Sequence, residues 1–505
     1  KDIKSFLIKK GVKFNSETDT EVIAQLIEYN YRGDLKKAVL KSLKSIKGAF
    51  AVAVFSKDEN RLIGFKKGSP LVLGIVNGDE PEFILSSDIS AFVSKTKKVI
   101  YLQDGEMVDI FDGKFKFFDF CNEIKKEKIQ TINWDVGSIS KNGYKHFLIK
   151  EIMEQPETIK DSIRGRLIYE TGDIKFGGLE EIQNRLKKIN RVVIVGIGTS
   201  AYSAMLGEIY FEEISRMPTK VELSPEFRYK DIVLDKNTWV IAMSQSGETA
   251  DTIAAIKEAK RKGALVTGIV NSVGSTISRI TDAGVYNHIG PEISVASTKA
   301  FTSQSVLLLM HALMLGRLQG KISLQKAQKI ISEINKLPAL IEKTLKEKDK
   351  IKKIAKKYIK HKNLFYIGRK YNYPTALEGA LKIKELAYIH AEGMAGGELK
   401  HGFIALVDKN MPTVAIATKD SIYEKQISNI EEVRARGGKV FSIATKGDKK
   451  IKEISDDVIY IPKVSEELSP ILNTAVLQLL AYYTSDLKGL DVDQPRNLAK
   501  SVTVE

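Results

Sequence analysis

Cysteine is almost absent: the 505 residues include one, Cys121. A single thiol cannot close an intrachain disulfide or build a cysteine-rich zinc site, which excludes a disulfide scaffold and a zinc finger. Long apolar runs are missing too. The richest, residues 305–314 and 475–483, fall well short of the roughly 18 that span a bilayer, so no membrane segment is expected. No basic, apolar, small-residue leader opens the chain, and a cytoplasmic protein is expected. The first residue is Lys1 rather than Met, read as processing or as absence of part of the protein. Acidic residues are the scarcer charge, 63 against 79 Lys and Arg, for a net charge of +16. The excess is dispersed lysine, densest over residues 348–362. There Ile351, Ile354, Ala355, Tyr358 and Ile359 recur at helical spacing, which predicts an amphipathic helix with a solvated lysine face. Stacking aromatics interleaved with basic residues are lacking, which argues against nucleic acid, whereas a basic surface favours anionic metabolites.

What is present is an ordinary globular mix, 43% apolar and 28% charged, long enough for roughly three domains. Residues 1–131 read as α+β with antiparallel character. Helices are expected over 21–29 and 35–45, then short strands over 48–55, 61–65, 70–76 and 82–86. A polar stretch, residues 132–142, reads as a linker, with connecting helices to about 186. Beyond it strands and helices alternate, the pattern of a parallel sheet. This part repeats. Val192-Val-Ile-Val-Gly-Ile-Gly198 is echoed by Asn363-Leu-Phe-Tyr-Ile-Gly368, Trp239-Val-Ile-Ala-Met243 by Pro412-Thr-Val-Ala-Ile-Ala417, and residues 258–269 by 432–443. The offsets drift from 172 through 173 to 174 residues, so two similar α/β domains stand in tandem, over 187–325 and 357–495.

Two loops in the first repeat carry chemistry. Gly196-Ile-Gly-Thr-Ser-Ala201 follows a strand and opens a helix expected over 202–214. A glycine permits close backbone approach and a helix start offers free N–H groups, which suits a phosphate; a plain turn with Thr199 or Ser200 as N-cap fits equally. Position 201 is Ala, so the full G-x-G-x-x-G is absent, and no acidic residue stands where a ribose contact needs one. The next strand ends in Ser244-Gln-Ser-Gly-Glu-Thr249 before a helix over 250–262. An N-cap explains one hydroxyl there, not three. Neighbouring strand ends line one crevice, so the two loops can converge on one phosphate without a metal.

The serine-rich loop and its Gly-Thr-Ser partner resemble the sugar isomerase domain that binds sugar phosphates. Two such domains after an α+β domain resemble the glutamine–fructose-6-phosphate aminotransferase (isomerizing) family. Val295-Ala-Ser-Thr-Lys-Ala-Phe301, Leu381-Lys-Ile-Lys-Glu-Leu-Ala-Tyr-Ile-His390, Gly397-Glu-Leu-Lys-His-Gly402 and the tail Asp493-Gln-Pro-Arg-Asn-Leu-Ala-Lys-Ser-Val-Thr-Val-Glu505 carry the same resemblance, which covers essentially the whole chain. It implies doubly wound parallel sheets behind an N-terminal-nucleophile-type glutaminase domain that lacks its first part. It implies conversion of fructose 6-phosphate and glutamine to glucosamine 6-phosphate and glutamate, the first step of hexosamine synthesis, by a homodimer with no cofactor or metal. Matching positions take roles accordingly. Ser244, Gln245, Ser246 and Thr249 would hold the phosphate, Thr199 and Ser200 would line the same site, and Val295, Ser297 and Ala499 would contact the sugar. Glu385 would move a proton between C1 and C2 with Lys382 assisting. His401 would open the ring from the partner subunit. Lys500, in the tail 496–505, would form an imine at C2. Asp19 would bind the α-amino group of glutamine.

The residue types suit that chemistry. Aldose–ketose isomerisation needs a base over a carbon acidified by a neighbouring carbonyl or iminium; lysine makes imines; imidazole passes protons near neutral pH. Without the resemblance, Glu378, Lys382 and Glu385 could be an ordinary charge ladder on a solvated face, and Thr18-x-x-Glu21 a capping box that fixes Asp19. Cys121 sits late in its domain and reads as structural, and the early residues that serve the amide are not found, so these 505 residues are expected to isomerise fructose 6-phosphate and fail to use glutamine. Two other readings stand beside this one: a stand-alone sugar-phosphate isomerase or deaminase, and a non-catalytic sugar-phosphate-binding regulator.

Overall fold

The computed structural model describes residues 2–78, 80–87, 89–131 and 140–501. It divides into two units, residues 1–140 and residues 141–501. Most of the expected linker, residues 132–139, and the last four residues of the tail lie outside the described residues.

In the first unit, helices Asp2–Lys9, Asp19–Asn30 and Leu35–Leu43 precede the strands. An antiparallel sheet runs in the order Phe50–Phe55, Arg61–Lys67, Glu106–Phe111, Lys114–Asp119, Ile124–Lys125; a second runs Glu82–Ser86, Val72–Val76, Lys98–Tyr101, Gln130–Thr131. Alternation of side chains across a strand explains the layers. Phe65 and Met107 face Ile27, Leu35 and Val39 of the helices, while Val108 and Ile110 face Leu73 and Ile100 of the second sheet. Three expectations change here. A helix at Asp2–Lys9 precedes the two foreseen. The helix expected from residue 21 starts at Asp19, and Thr18 makes no capping bond; the Glu21 carboxylate instead accepts the N–H groups of Asn15 (2.7 Å) and Ser16 (2.6 Å), so it ties down the approach to the helix rather than closing a box. Cys121 is exposed in the turn after Lys114–Asp119, where it has no core to support.

The second unit holds two five-stranded parallel sheets. The first runs Thr219–Leu223, Arg191–Gly196, Thr238–Ser244, Leu265–Val270, Ala283–Tyr286, and the second His390–Ala395, Asn363–Gly368, Thr413–Ala417, Val440–Thr445, Asp457–Ile461. Numbered along each repeat, both orders are 2-1-3-4-5, as the internal echo requires. The inner strands are near-continuous apolar runs because helices cover both faces. Helices Lys299–Leu318 and Ser469–Leu487 are buried along almost their whole length, and one core joins both sheets through them. Helix Lys348–Tyr358 buries Ile351, Ile354, Ala355 and Tyr358, the face its spacing foretells. The helix after Gly198 begins earlier than expected, at Thr199, and passes into a wider π-helical turn over Phe211–Ser215.

In a 2-1-3-4-5 sheet the chain winds in opposite directions from strands 1 and 3, and a crevice opens at their C-terminal ends. In the first repeat those ends are Gly196 and Ser244, so topology places both candidate loops at one crevice.

Candidate active site

The serine-rich loop is tied together by its own side chains. Ser244 Oγ accepts the Gly247 N–H at 3.0 Å and shares a 2.9 Å hydrogen bond with Thr249 Oγ1; Ser246 Oγ accepts the Glu248 N–H at 3.2 Å. One of Ser244 and Thr249 spends its hydrogen on the other, and the hydrogens of the remaining hydroxyl of that pair and of Ser246 stay available to an anion. Gly247 is required twice over: its φ is +70°, and a Cβ there would lie 2.1 Å from Ser275 Oγ. Behind the loop, the Glu248 carboxylate accepts Thr276 N–H (2.8 Å) and Oγ1–H (2.7 Å), and the Gly247 carbonyl accepts Ile277 N–H (3.0 Å). Gln245 is half-buried, and its carbonyl accepts the Asn271 N–H at 3.1 Å.

Two helices start at this crevice, Thr199–Tyr210 and Ala250–Arg261, and neither has a side-chain cap. The N-cap position of the first is Gly198, which overturns the reading of Thr199 or Ser200 as a cap. The Ser200 and Ala201 N–H groups are taken by the Ile197 and Gly198 carbonyls (3.1 and 3.0 Å), so it is the positive ends of two helix dipoles that converge with the hydroxyls of the loop, an arrangement suited to an anion. Ser200 is half-buried one residue into the first helix.

Thr199 turns its hydroxyl toward the second repeat. Oγ1 donates to Glu378 Oε1 (3.3 Å) and accepts from Lys382 Nζ (3.0 Å), and Lys382 also donates to Glu385 Oε2 (2.6 Å). Glu378 and Lys382 are fully buried, so the solvated ladder is excluded: helix Asn372–Ala387 turns this face inward. Burial opposes the Lys382 charge, yet Glu378 and Glu385 together outweigh it and hold the ammonium above its ordinary range, with a further contribution from Glu292. Burial pushes the Glu378 carboxyl up to about 8 despite Lys382, and its Oε2 has no hydrogen-bond partner among the described residues. Glu385 keeps 22% of its side chain exposed, so it alone of the three can meet a solute.

Lys500 closes the arrangement. Its ammonium donates to Glu292 Oε2 and the Ser294 carbonyl, both at 2.8 Å. Glu292 is buried and also accepts Ser297 Oγ (3.0 Å), Thr298 N–H (2.9 Å) and Ala300 N–H (3.2 Å). Burial alone would raise its carboxyl; the Lys500 charge and these donors bring it below the usual range. Nearby, buried Glu151 accepts the Ser294 N–H at 3.1 Å and the Ser294 hydroxyl, and burial together with the Glu292 charge lifts it to about 7. The Val295 N–H donates to the Asp493 carbonyl (3.0 Å), and the Asp493 carboxylate accepts N–H groups of Phe147 (3.0 Å) and Leu148 (2.9 Å). The tail is thereby pinned to the loop that carries Val295 and Ser297, with Ala499 exposed beside Lys500.

His401 stands apart. It is exposed after the 3-10 turn Gly396–Lys400, and its imidazole makes no hydrogen bond or ion pair among the described residues. Asp19 belongs to the first unit, where it is exposed as the first residue of its helix. Glu292, Glu151, Ser294 and the buried, raised carboxyl of Glu378 were not foreseen. No periodicity or motif singles out Pro291-Glu-Ile-Ser294; only the fold brings it against a lysine 208 positions away.

Two segments of the chain, residues 185–314 and 357–485, match the sugar isomerase (SIS) domain, and residues 1–94 match a glutamine amidotransferase domain. The glutamine–fructose-6-phosphate aminotransferase (isomerizing) of Aquifex aeolicus is 48% identical over 505 residues, covering 100% of this chain and 82% of that one; its counterpart from Bacteroides thetaiotaomicron is 47% identical over 508 residues, with the same coverage. Among solved structures, the C-terminal domain of glucosamine-fructose-6-phosphate aminotransferase from Francisella tularensis superposes with a TM-score of 0.66 at 38% identity, over 70% of this chain and 100% of that chain. On these grounds the chain belongs to the glutamine–fructose-6-phosphate aminotransferase (isomerizing) family.

Proposed function

We propose that the protein converts fructose 6-phosphate and glutamine to glucosamine 6-phosphate and glutamate, and that these 505 residues carry its isomerising part but not glutamine hydrolysis. The observation that carries the reading is the bond from Thr199, at the head of an uncapped helix beside the anion crevice, to Glu378 and Lys382 of the second repeat. It sets the exposed carboxylate of Glu385 within reach of a sugar whose phosphate rests on Ser244, Gln245, Ser246 and Thr249, with Ser200, Val295, Ser297 and Ala499 along the carbon chain.

The steps follow from the charges. Lys500 forms an imine at C2, and the iminium acidifies the neighbouring C–H. Glu385 takes a proton from one carbon and returns it to the other. Lys382, held as a cation and bonded to Glu385 Oε2 at 2.6 Å, positions that carboxylate from behind. His401 acts on the ring oxygen from a second copy of the chain, which makes the enzyme a homodimer; its exposure on one chain supports this. Asp19 holds the α-amino group of glutamine in the amidotransferase unit. The setting is cytoplasmic; no helix among the described residues is long and apolar enough to cross a membrane.

The test is product analysis with fructose 6-phosphate alone, with glutamine and with ammonium. Glucose 6-phosphate alone and glucosamine 6-phosphate with a nitrogen donor support the assignment. Isomerisation with no amination from either donor points to a stand-alone isomerase, and binding without turnover to a regulator.

A further inference from the structure

Lys500 has one carboxylate bonded to its nitrogen among the described residues, and that carboxylate is divided in use. Glu292 Oε1 is fixed by the Thr298 and Ala300 amides, while Oε2 takes the Lys500 ammonium and the Ser297 hydroxyl. Glu151, the other acid buried here, is committed to Ser294, and Lys299 to Glu154 at 3.0 Å. The Lys500 side chain is 24% exposed, whereas Glu292 is shut from solvent. The nitrogen can therefore reach a solute in the crevice while its proton acceptor stays protected from water. A loop clamp needs the two amide bonds at Oε1 and the Ser297 bond at Oε2, and leaves the bond to the Lys500 ammonium without a part in it.

We infer that Glu292 is the proton carrier for imine formation on Lys500, a role that rests on reading Lys500 as the imine-forming residue. Lys500 starts as an ammonium and Glu292 as a carboxylate. A proton passes from Nζ to Oε2, and the neutral amine attacks C2 as the C2–O2 π pair moves onto O2. Glu292 delivers its proton to O2, giving a carbinolamine with a protonated nitrogen. It takes a second proton from that nitrogen and delivers it to the C2 hydroxyl. The C2–O bond breaks, water leaves, and the nitrogen lone pair forms the iminium. The ammonium loses two protons to the departing water, and Glu292 ends ionised as it began. Hydrolysis of the imine reverses the sequence.

The experiment traps the imine. The full chain is incubated with fructose 6-phosphate and cyanoborohydride, and the reduced adduct is located by peptide mass spectrometry. Binding of glucitol 6-phosphate, which lacks a carbonyl, is measured in parallel. The unsubstituted chain should be labelled at Lys500. Glu292→Gln keeps acceptors for the loop amides but carries no proton, so adduct formation should slow about 100-fold with glucitol 6-phosphate affinity little changed. Glu292→Asp, which retains a carboxylate, should recover part of the rate. Labelling of Glu292→Gln at the unsubstituted rate overturns the carrier role and leaves the imine assignment standing. Loss of glucitol 6-phosphate binding in both variants makes Glu292 a clamp of the loop and also overturns it. An unsubstituted chain labelled at a different lysine defeats the imine assignment itself, and this role with it.

Discussion

Glu378 is the residue whose environment speaks most directly about pH. Its carboxyl is fully buried and raised to about 8 from 4.5. The folded chain holds that proton more tightly than the unfolded chain does. Stability from this group is therefore complete below about pH 4.5 and is lost as pH rises toward about 8. Glu378→Gln removes the titration while keeping the shape. Urea unfolding at about pH 5 and about pH 9 should show the midpoint of the variant rising relative to the parent at the higher pH. A constant difference between the two conditions would show that Glu378 does not titrate in this range. The neighbouring lysine explains why a buried acid is tolerated: Lys382 is held charged against it, and Thr199 bridges the two.

At the scale of elements, the serine-rich loop and the glycine-threonine loop differ in what they can absorb. Gly247 combines a φ of +70° with a neighbour 2.1 Å from any added Cβ; Gly198 has a φ of +54° with nothing within 4 Å. Gly247→Ala should raise the KM for fructose 6-phosphate at least tenfold and destabilise by about 3 kcal/mol or more, strain and overlap together, and Gly198→Ala, which meets strain alone, should cost about 1–3 kcal/mol. Equal effects at both positions would remove the crowding at Ser275 as the reason. Much at this scale was legible in the sequence. Apolar runs such as Val192-Val-Ile-Val195 announce buried strands, and three hydroxyls with a glycine announce the loop between a strand and a helix. What escaped has physical causes. Glu106–Phe111 and Lys114–Asp119 interleave charges with apolar residues and lack the uniform run that marked the parallel strands. The helix Asp2–Lys9 packs on others by a short face, with only Leu7 buried. The Glu292–Lys500 pair joins residues 208 positions apart, from the middle and the end of the second unit, which no local pattern encodes.

Over the whole molecule, duplication has been followed by division of labour. Both repeats share one strand order, but the serine-rich loop lies at the switch point of the first and the Glu378–Lys382–Glu385 face on a helix of the second. At the corresponding switch point of the second repeat stand Thr418 and Asp420, both bonded to Asn372, and a carboxylate there repels an anion. If His401 serves the site of a second copy, Glu385→Gln and His401→Asn chains should each be inactive alone. Mixed under subunit exchange, they should recover about one quarter of the parent activity, since random pairing makes half the dimers hybrid and each hybrid has one intact site. Mixtures that stay inactive would confine His401 to its own chain or to no role. The central claim is that Glu385, beside the anion crevice, moves the proton between C1 and C2. Its most direct measurement is NMR of fructose 6-phosphate in deuterated water with Glu385→Gln. The variant should bind the sugar phosphate with nearly unchanged affinity and incorporate no deuterium at C1, whereas exchange at the parent rate would contradict it.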